Sequence, residues 1–507
     1  MALINSVLSW LMKQRVHQIE LFMKYPNEVQ TDWFFNLIAQ AKNTEWGRTY
    51  DYKSITSPEE FKSRVPLNDY DSIKSYIERL RQGEQNLLWP TEIKWFAKSS
   101  GTTSDKSKFI PVSEEALEEC HFKGGKDLLS IYCSNHPDTL LFDGKGIAMG
   151  GSHHINEVNN ESYYYEGDLS AIIIQNLPMW VEFRRTPNLS IALMDEWESK
   201  IEKMAEATMQ HDVTSASGVP SWTLLLFRRI LEITGKKNLM EVWPNFELFI
   251  HGGVNFTPYR EQFLELFPSK KVNYLETYNA SEGFFGIQDR SGVNDMLLML
   301  DYGIYYEFIP MDQIGQSYPV SLSLDQVKTG INYALVISTN AGLWRYMIGD
   351  TVQFTTLSPY RIQITGRTRH FINAFGEELI VDNAEKALAI ACERSEAVIS
   401  EYTAAPVYSQ GKKKGAHEWL IEFELAPADI GYFTSSLDNA LKSLNSDYEA
   451  KRYHDMILEE PIVKVVPRNT FYCWLKSKGK LGGQNKVPRL FNDRTYIEEI
   501  YQMISGT

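Results

Sequence analysis

Residues 99–108 read Ser-Ser-Gly-Thr-Thr-Ser-Asp-Lys-Ser-Lys. Runs with strand character, 93–97 and 109–112, flank this stretch. A loop of amides and hydroxyls between two strands can wrap phosphate oxygens, because all of those groups donate to one anion. Lys106 and Lys108 add positive charge where a triphosphate would sit. The Walker pattern G-x-x-x-x-G-K-[ST] is absent, and Gly101 is the one glycine of the stretch. The plain alternative is a solvent-facing Ser/Thr hairpin.

The chain around this loop has 507 residues, more than one hydrophobic core organises. At least two domains are expected, one large and one smaller. A hydrophobic content of 43% with 13% aromatics fits a packed globular protein rather than a disordered one. The net charge of −14 opposes broad nucleic-acid or anionic-membrane binding, but allows an anionic ligand in a local basic pocket. Cys120, Cys133, Cys392 and Cys473 form no C-x-x-C pair, so reduced thiols in a cytoplasmic protein are expected. The adjacent His153-His154 reads as a loop pair rather than a metal site. Leu3, Ile4, Val7, Leu8, Leu11, Met12, Val16 and Ile19 follow helical spacing. Lys13, Arg15 and His17 interrupt them, so an amphipathic helix packed on the large domain is expected, not a membrane span.

Helix starts are well marked. Ser57-Pro58-Glu59-Glu60 and Thr257-Pro258-Tyr259-Arg260-Glu261 each place a capping hydroxyl, a first-turn proline and an acid, and Ser113-Glu114-Glu115 opens another helix. Strands are expected at 247–250, ending in His251-Gly252-Gly253, and at 271–275, ending in Glu276-Thr277-Tyr278. Stretches 296–300 and 304–309 read as a hairpin around Asp301-Tyr302-Gly303, and 333–338 and 343–347 flank Asn340-Ala341-Gly342. Helices alternating with strands give an α/β class. A boundary near 370 separates a large domain, 1–370, from a small one, 371–507. The second reads as α+β: a helix at 383–394, a half-exposed strand at 418–425, a helix at 433–444 and a strand at 462–466. Lys412-Lys413-Lys414 reads as a solvated hairpin tip.

Further segments carry chemistry. Tyr278-Asn279-Ala280-Ser281-Glu282 follows a buried-looking strand, where ligand-binding turns sit. Tyr278 can stack on a purine, and Glu282 can hold a magnesium ion that bridges phosphates; a simple capped turn is the alternative. In Trp344-Arg345-Tyr346-Met347-Ile348-Gly349-Asp350 the aspartate can accept from both hydroxyls of a ribose, or merely close a Gly-Asp turn. Arg367, after Gly366, can bind ribose or phosphate or be a surface charge. Gly482-Gly483-Gln484-Asn485-Lys486 sets a lysine in a glycine loop able to swing into a distant site, or to stay exposed. Met149-Gly150-Gly151-Ser152 and Ser217-Gly218-Val219-Pro220-Ser221-Trp222 are turn-rich candidates for an acyl pocket, or ordinary loops.

Taken in order, these segments resemble the Gretchen Hagen 3 (auxin-responsive) family of acyl acid amido synthetases. That family lies within the acyl-adenylate-forming superfamily of luciferases and acyl-CoA synthetases. The matching pieces are Ser99–Thr103 with Lys108, Trp243-Pro244-Asn245, Tyr278–Glu282, Tyr346–Asp350 and Lys486-Val487-Pro488-Arg489. There are departures: Ser104-Asp105 stands where the family often has glycine, and Phe375-Gly376-Glu377-Glu378 is nearer the broader superfamily's hinge. The resemblance implies a large adenylate-forming domain of layered sheets and helices with a small mobile C-terminal α+β domain. It also implies ATP and Mg2+ as cofactors, and a small carboxylic acid and an amine, expected to be an amino acid, as substrates. On that reading Ser99, Ser100, Gly101, Thr102, Thr103 and Lys108 hold the phosphates. Gly252 and Gly253 lie against adenine, Tyr278 stacks on it, and Asn279, Ala280 and Ser281 join it in binding the nucleotide. Glu282 coordinates magnesium, Asp350 and Arg367 bind ribose, and Lys486 approaches the acyl phosphate. The competing readings are a thioester-forming acyl-CoA ligase and a non-catalytic acyl or nucleotide sensor.

Overall fold

The computed structural model describes residues 10, 12, 15–100, 107–151, 153–159, 162–194, 196–253, 256, 259–314, 316, 318–368, 371–377, 379–408, 414–453, 457–478 and 487–505. The chain divides into two compact units, Met1–Ser99 with Lys108–Thr368, and Ser100–Ser107 with Arg369–Thr507.

Short-range signals set the helix ends. Ser57 accepts from the Glu60 amide, and the Glu60 carboxylate reaches back to the Thr56 amide at 2.8 Å, so helix Pro58–Arg64 starts where its cap dictates. Ser113 accepts from the Ala116 amide and donates to the Asn340 carbonyl at 2.7 Å, which ties that helix start to a distant turn. Helix Val16–Lys24 buries Ile19 and Phe22 in the main core; residues 1–9 lie outside the described residues, as do Thr257 and Pro258. Among the described residues, no helix is long and apolar enough to cross a membrane.

The strands, in chain order, begin with β1 (Trp95–Ser100), β2 (Ser107–Val112), β3 (Lys145–Ala148), β4 (His153–Asn159), β5 (Ser162–Gly167) and β6 (Arg185–Thr186). Next come β7 (Val213–Gly218), β8 (Leu248–Gly252), β9 (Asn273–Ala280), β10 (Gly283–Ile287) and β11 (Met296–Leu298). Then follow β12 (Ile304–Pro310), β13 (Asn332–Thr339), β14 (Tyr346–Leu357) and β15 (Tyr360–Arg367). One sheet runs β2-β1-β5-β4; a larger one runs β12-β13-β14-β15-β11-β10-β9-β8-β7-β3-β6. The larger sheet changes character at β9. From β6 to β9 every pairing is parallel, and from β9 to β12 every pairing is antiparallel. Parallel neighbours need crossovers. Helix Pro220–Thr234 supplies the one from β7 to β8, ending at Gly235 with φ +64°, and helix Arg260–Leu266 the one from β8 to β9. Aromatic packing pins both helices to the sheet: Phe249 of β8 stacks on Phe263 at 4.4 Å and meets Phe227 edge-on at 6.4 Å.

The expected 296–309 hairpin does not form. β11 pairs with β10 and β15, whereas β12 pairs with β13 at the far edge. The corner between them is fixed by groups from elsewhere: Gln30 Nε2 donates to the carbonyls of Leu300 and Ile304, and Asp301 pairs with Lys123 at 2.9 Å and Arg15 at 3.3 Å. The Asn340-Ala341-Gly342 turn does join β13 to β14, with Gly342 at φ +84°. His153-His154 lies on strand β4, not in a loop.

In the second unit, after β16 (Phe371–Ile372) and β17 (Leu379–Ile380), a sheet is ordered β18 (Val398–Val407), β19 (Ala416–Leu425) and β20 (Ile462–Val466). Helices Val381–Ser395 and Ile430–Leu444 complete the α+β arrangement. β19 is buried on both faces from Ala416 to Phe423, not half-exposed. Its glutamates misled the alternation, because two of them are satisfied inside: Glu418 by Arg494 at 2.6 Å and Tyr501 at 2.9 Å, Glu422 by the Asn469 amide at 2.8 Å. Lys412 and Lys413 lie outside the described residues.

Candidate functional site

The carboxyl ends of the parallel strands bring the sequence candidates together. β3 ends just before Met149-Gly150-Gly151, and Ala148 is in register with Ser217 of β7. Gly218 is in register with His251 of β8, and His251 with Glu276 of β9. Turns distant in sequence thus line one edge, at the last parallel strand, where open α/β sheets bind ligands.

β9 runs further than expected. Tyr278, Asn279 and Ala280 belong to the strand, and only Ser281 and Glu282 form the turn into β10. Tyr278 is buried, lies edge-on to Phe285 at 4.9 Å, and donates its hydroxyl to Asp350 Oδ2 at 2.6 Å. Asp350 lies inside β14, not beyond its end. Between the pairs Ala334–Thr351 and Val336–Met347 the register slips by two residues on β14, and Gly349 there has φ +92°. This is a bulge that only glycine makes without strain, and bulges re-aim side chains. Asp350 is also in register with Arg367 of β15, so the backbone places two proposed ribose contacts across from one another.

Gly252 and Gly253 have protein-based reasons to be glycine. A Cβ at Gly252 would meet the Thr277 carbonyl oxygen at 2.5 Å, so β8 and β9 could not keep their spacing. At Gly253 a Cβ would meet only Val219, at 3.6 Å, but φ is +80°. The Thr277 hydroxyl donates to the His251 carbonyl at 3.2 Å and closes the same strand ends.

Ser99 and Ser100 end β1, and Lys108 sits half-buried on β2. The strand beyond Lys108 is held by the Phe109 amide donating to the Tyr70 hydroxyl at 3.0 Å and by Arg81 lying 3.8 Å over the Phe109 ring. Gly101, Thr102, Thr103 and Lys486 lie outside the described residues. Among the described residues, no group of three or more His, Cys, Asp or Glu could hold a metal ion. Glu282 is half-buried in its turn. Two residues of this edge escaped the sequence reading: His251 and Glu276. The signal was a polar residue closing each apolar run, visible only once register makes them neighbours. Burial, with the Arg260 charge added, pushes the His251 imidazole down to about 3, and burial raises the Glu276 carboxyl.

Comparison with known proteins follows this order of elements. The GH3 family N-terminal domain matches residues 15–272, its central domain 297–367 and its C-terminal domain 382–495. Indole-3-acetic acid-amido synthetase GH3.4 of Arabidopsis thaliana is 24% identical over 561 residues, covering 93% of this chain and 90% of that one. Jasmonoyl--L-amino acid synthetase JAR4 of Nicotiana attenuata is 23% identical, covering 76% of each chain. Among solved structures, the GH3.15 acyl acid amido synthetase superposes with a TM-score of 0.61 at 17% identity, over 97% of this chain and 96% of that one. A 2-hydroxyisobutyryl-CoA ligase superposes with a TM-score of 0.56 at 11% identity, over 97% and 93%. With all three family domains present in order along most of its length, the chain belongs to the GH3 family.

Proposed function

We propose that this protein is an ATP-dependent acyl acid amido synthetase. It would join the carboxylate of a small organic acid to an amine, an amino acid being the expected acceptor. The observation that carries the reading is the Tyr278–Asp350 hydrogen bond, with Arg367 in register beside it, at the last parallel strand of a GH3-family sheet.

A carboxylate resists attack by an amine because its leaving group would be oxide. Its oxygen would first attack the α-phosphorus of ATP, forming an O–P bond as the bond to pyrophosphate breaks. The amine would then attack the acyl carbon, AMP would leave with the bonding electrons, and the amine would lose a proton. Tyr278 would pack against adenine and Asp350 and Arg367 would hold the ribose. Ser99 to Thr103 and Lys108 would cradle phosphates, and Lys486 would stabilise charge on the acyl phosphate. Magnesium would arrive on the nucleotide, with Glu282 as its protein ligand. Bound magnesium would neutralise phosphate charge. A small domain after 370 that moves between the two half-reactions is part of the same proposal. A reducing, cytoplasmic setting suits the four free cysteines.

The test is pyrophosphate release that requires both ATP and a carboxylic acid, followed by product analysis with amino acids or coenzyme A as acceptor. An amide with an amino acid supports the reading. A thioester alone, or ATP binding with no pyrophosphate released by any acid, overturns it.

A further inference from the structure

His251 closes the buried run of β8, one residue before Gly252-Gly253. Its ring is 4% exposed and lies nearly flat on Phe256, with centroids 3.9 Å apart. Nδ1 is fully buried and has no hydrogen-bond partner among the described residues. Buried polar atoms are almost always paired, so an unpaired one asks for a reason.

The register supplies one. His251 is aligned with Glu276 on one side and with Gly218 on the other. Register partners on parallel strands project from the same face, and adjacent strands lie about 4.8 Å apart. An imidazole and a carboxyl therefore stand side by side on an otherwise apolar surface, where Phe249 packs against Phe263 and Phe227. Gly218 contributes no side chain on the other flank, and helix Pro220–Thr234 begins two residues later. His251 on β8 thus lies between the turns after β3 and β7 that are proposed for the acyl pocket and the nucleotide-binding end of β9, and Glu276 stands on β9 two residues before Tyr278.

We propose that the acid taken by this protein carries a hydroxyl or amino group remote from its carboxylate, and that this group binds between His251 and Glu276. This rests on the adenylating function proposed above and specifies its substrate class. A hydroxyl suits the pair because it can donate to one group and accept from the other, and an amino group can donate to both. An unsubstituted hydrocarbon acid would leave the buried His251 Nδ1 unpaired, and a site built to hydrogen-bond a substrate rejects analogues lacking the group strongly.

The experiment is acid-dependent pyrophosphate release with matched acids: phenylacetate against 4-hydroxyphenylacetate and 4-aminophenylacetate, and hexanoate against 6-hydroxyhexanoate. The expected result is that the substituted member of at least one pair leads in kcat/KM by about 100-fold or more. His251→Phe, or His251→Asn if the first variant does not fold, should cut that ratio at least ~10-fold, and Glu276→Gln should cut it as well. Wild type that favours the bare acids, or a ratio unchanged in the variants, overturns the substrate assignment while leaving adenylation intact. Wild type that releases pyrophosphate with no acid at all overturns both.

Discussion

The Tyr278 hydroxyl donates to Asp350 Oδ2 at 2.6 Å, joining β9 to a bulge of β14 that lies 72 residues further along the chain. The bond is charge-assisted and buried, which makes it one of the stronger kinds. The bond orients the Asp350 carboxylate. Tyr278→Phe should therefore cost about 1–3 kcal/mol of stability, because it removes a buried hydrogen bond to a carboxylate. It should also raise the KM for ATP by roughly 10-fold in pyrophosphate release, as misplacing one carboxylate weakens every contact it makes. Asp350→Asn should do the same, and the double variant should lose less than the sum, because the two residues act as one unit. Strictly additive effects on KM would mean that the pair does not position a nucleotide together.

Gly252 and Gly253 separate two physical causes of a glycine. Gly252→Ala forces a methyl group against the Thr277 carbonyl oxygen, which is backbone and cannot rotate away. It should destabilise the protein by about 1–3 kcal/mol, as overpacking does. Gly253→Ala meets only Val219, at an ordinary contact distance of 3.6 Å, but must hold φ +80°, and should cost about 1–2 kcal/mol. Gly253→Asn should recover part of that, since asparagine tolerates left-handed backbone, whereas Gly252→Asn should not recover anything. Urea titration of the four variants checks the pattern, and equal rescue at both positions would refute it.

Arg345 anchors the start of the strand that carries Asp350. It has φ +44°, is buried, and donates to Glu307, to Ser321 Oγ at 2.8 Å and to the Val65 carbonyl at 2.6 Å. Glu307, itself buried, also accepts from Ser321 at 2.6 Å. Removing one member of such a pair leaves the other charged and unpaired. Glu307→Ala should cost about 3–5 kcal/mol, and Arg345→Met with Glu307→Leu should cost less than either single change. Thermal denaturation of the four variants, Glu307→Ala, Arg345→Met, Glu307→Leu and the double, decides it; a double variant less stable than both of its singles would show that the pair contributes more than it costs to bury.

How much of this was legible depended on range. Ser57 and Ser113 announce helix starts because a cap and the amide it accepts from lie within four residues. The β13–β14 turn is equally local. The Asp301 corner was misread because its determinants, Arg15, Gln30 and Lys123, lie far back in sequence. Asp350 could be singled out as a candidate, but the bulge that presents it depends on pairing with β13. His251 and Glu276 became neighbours only through register, and the alternation of β19 failed because Arg494 and Tyr501 reach in to bury Glu418.

His121 and His251 give the protein a defined acid sensitivity. Burial pushes His121 down to about 4; burial, with the Arg260 charge, pushes His251 down to about 3. In the unfolded chain both imidazoles titrate near 6.5. Above that pH neither state binds the proton, and stability does not depend on these groups. Below it the unfolded chain takes up protons that the folded one refuses, so stability falls as pH falls, until the folded values of about 4 and 3 are passed. At pH 5 each residue should have cost about 2 kcal/mol relative to pH 7.5, from the 1.5-unit span at about 1.4 kcal/mol per unit. Urea denaturation at pH 7.5, 6 and 5 measures this directly. His121→Leu and His251→Phe should each remove about half of the slope between pH 6 and 5 that the two histidines produce, and the double variant nearly all of it. A double variant with the wild-type slope would mean that both imidazoles are already protonated in the folded protein.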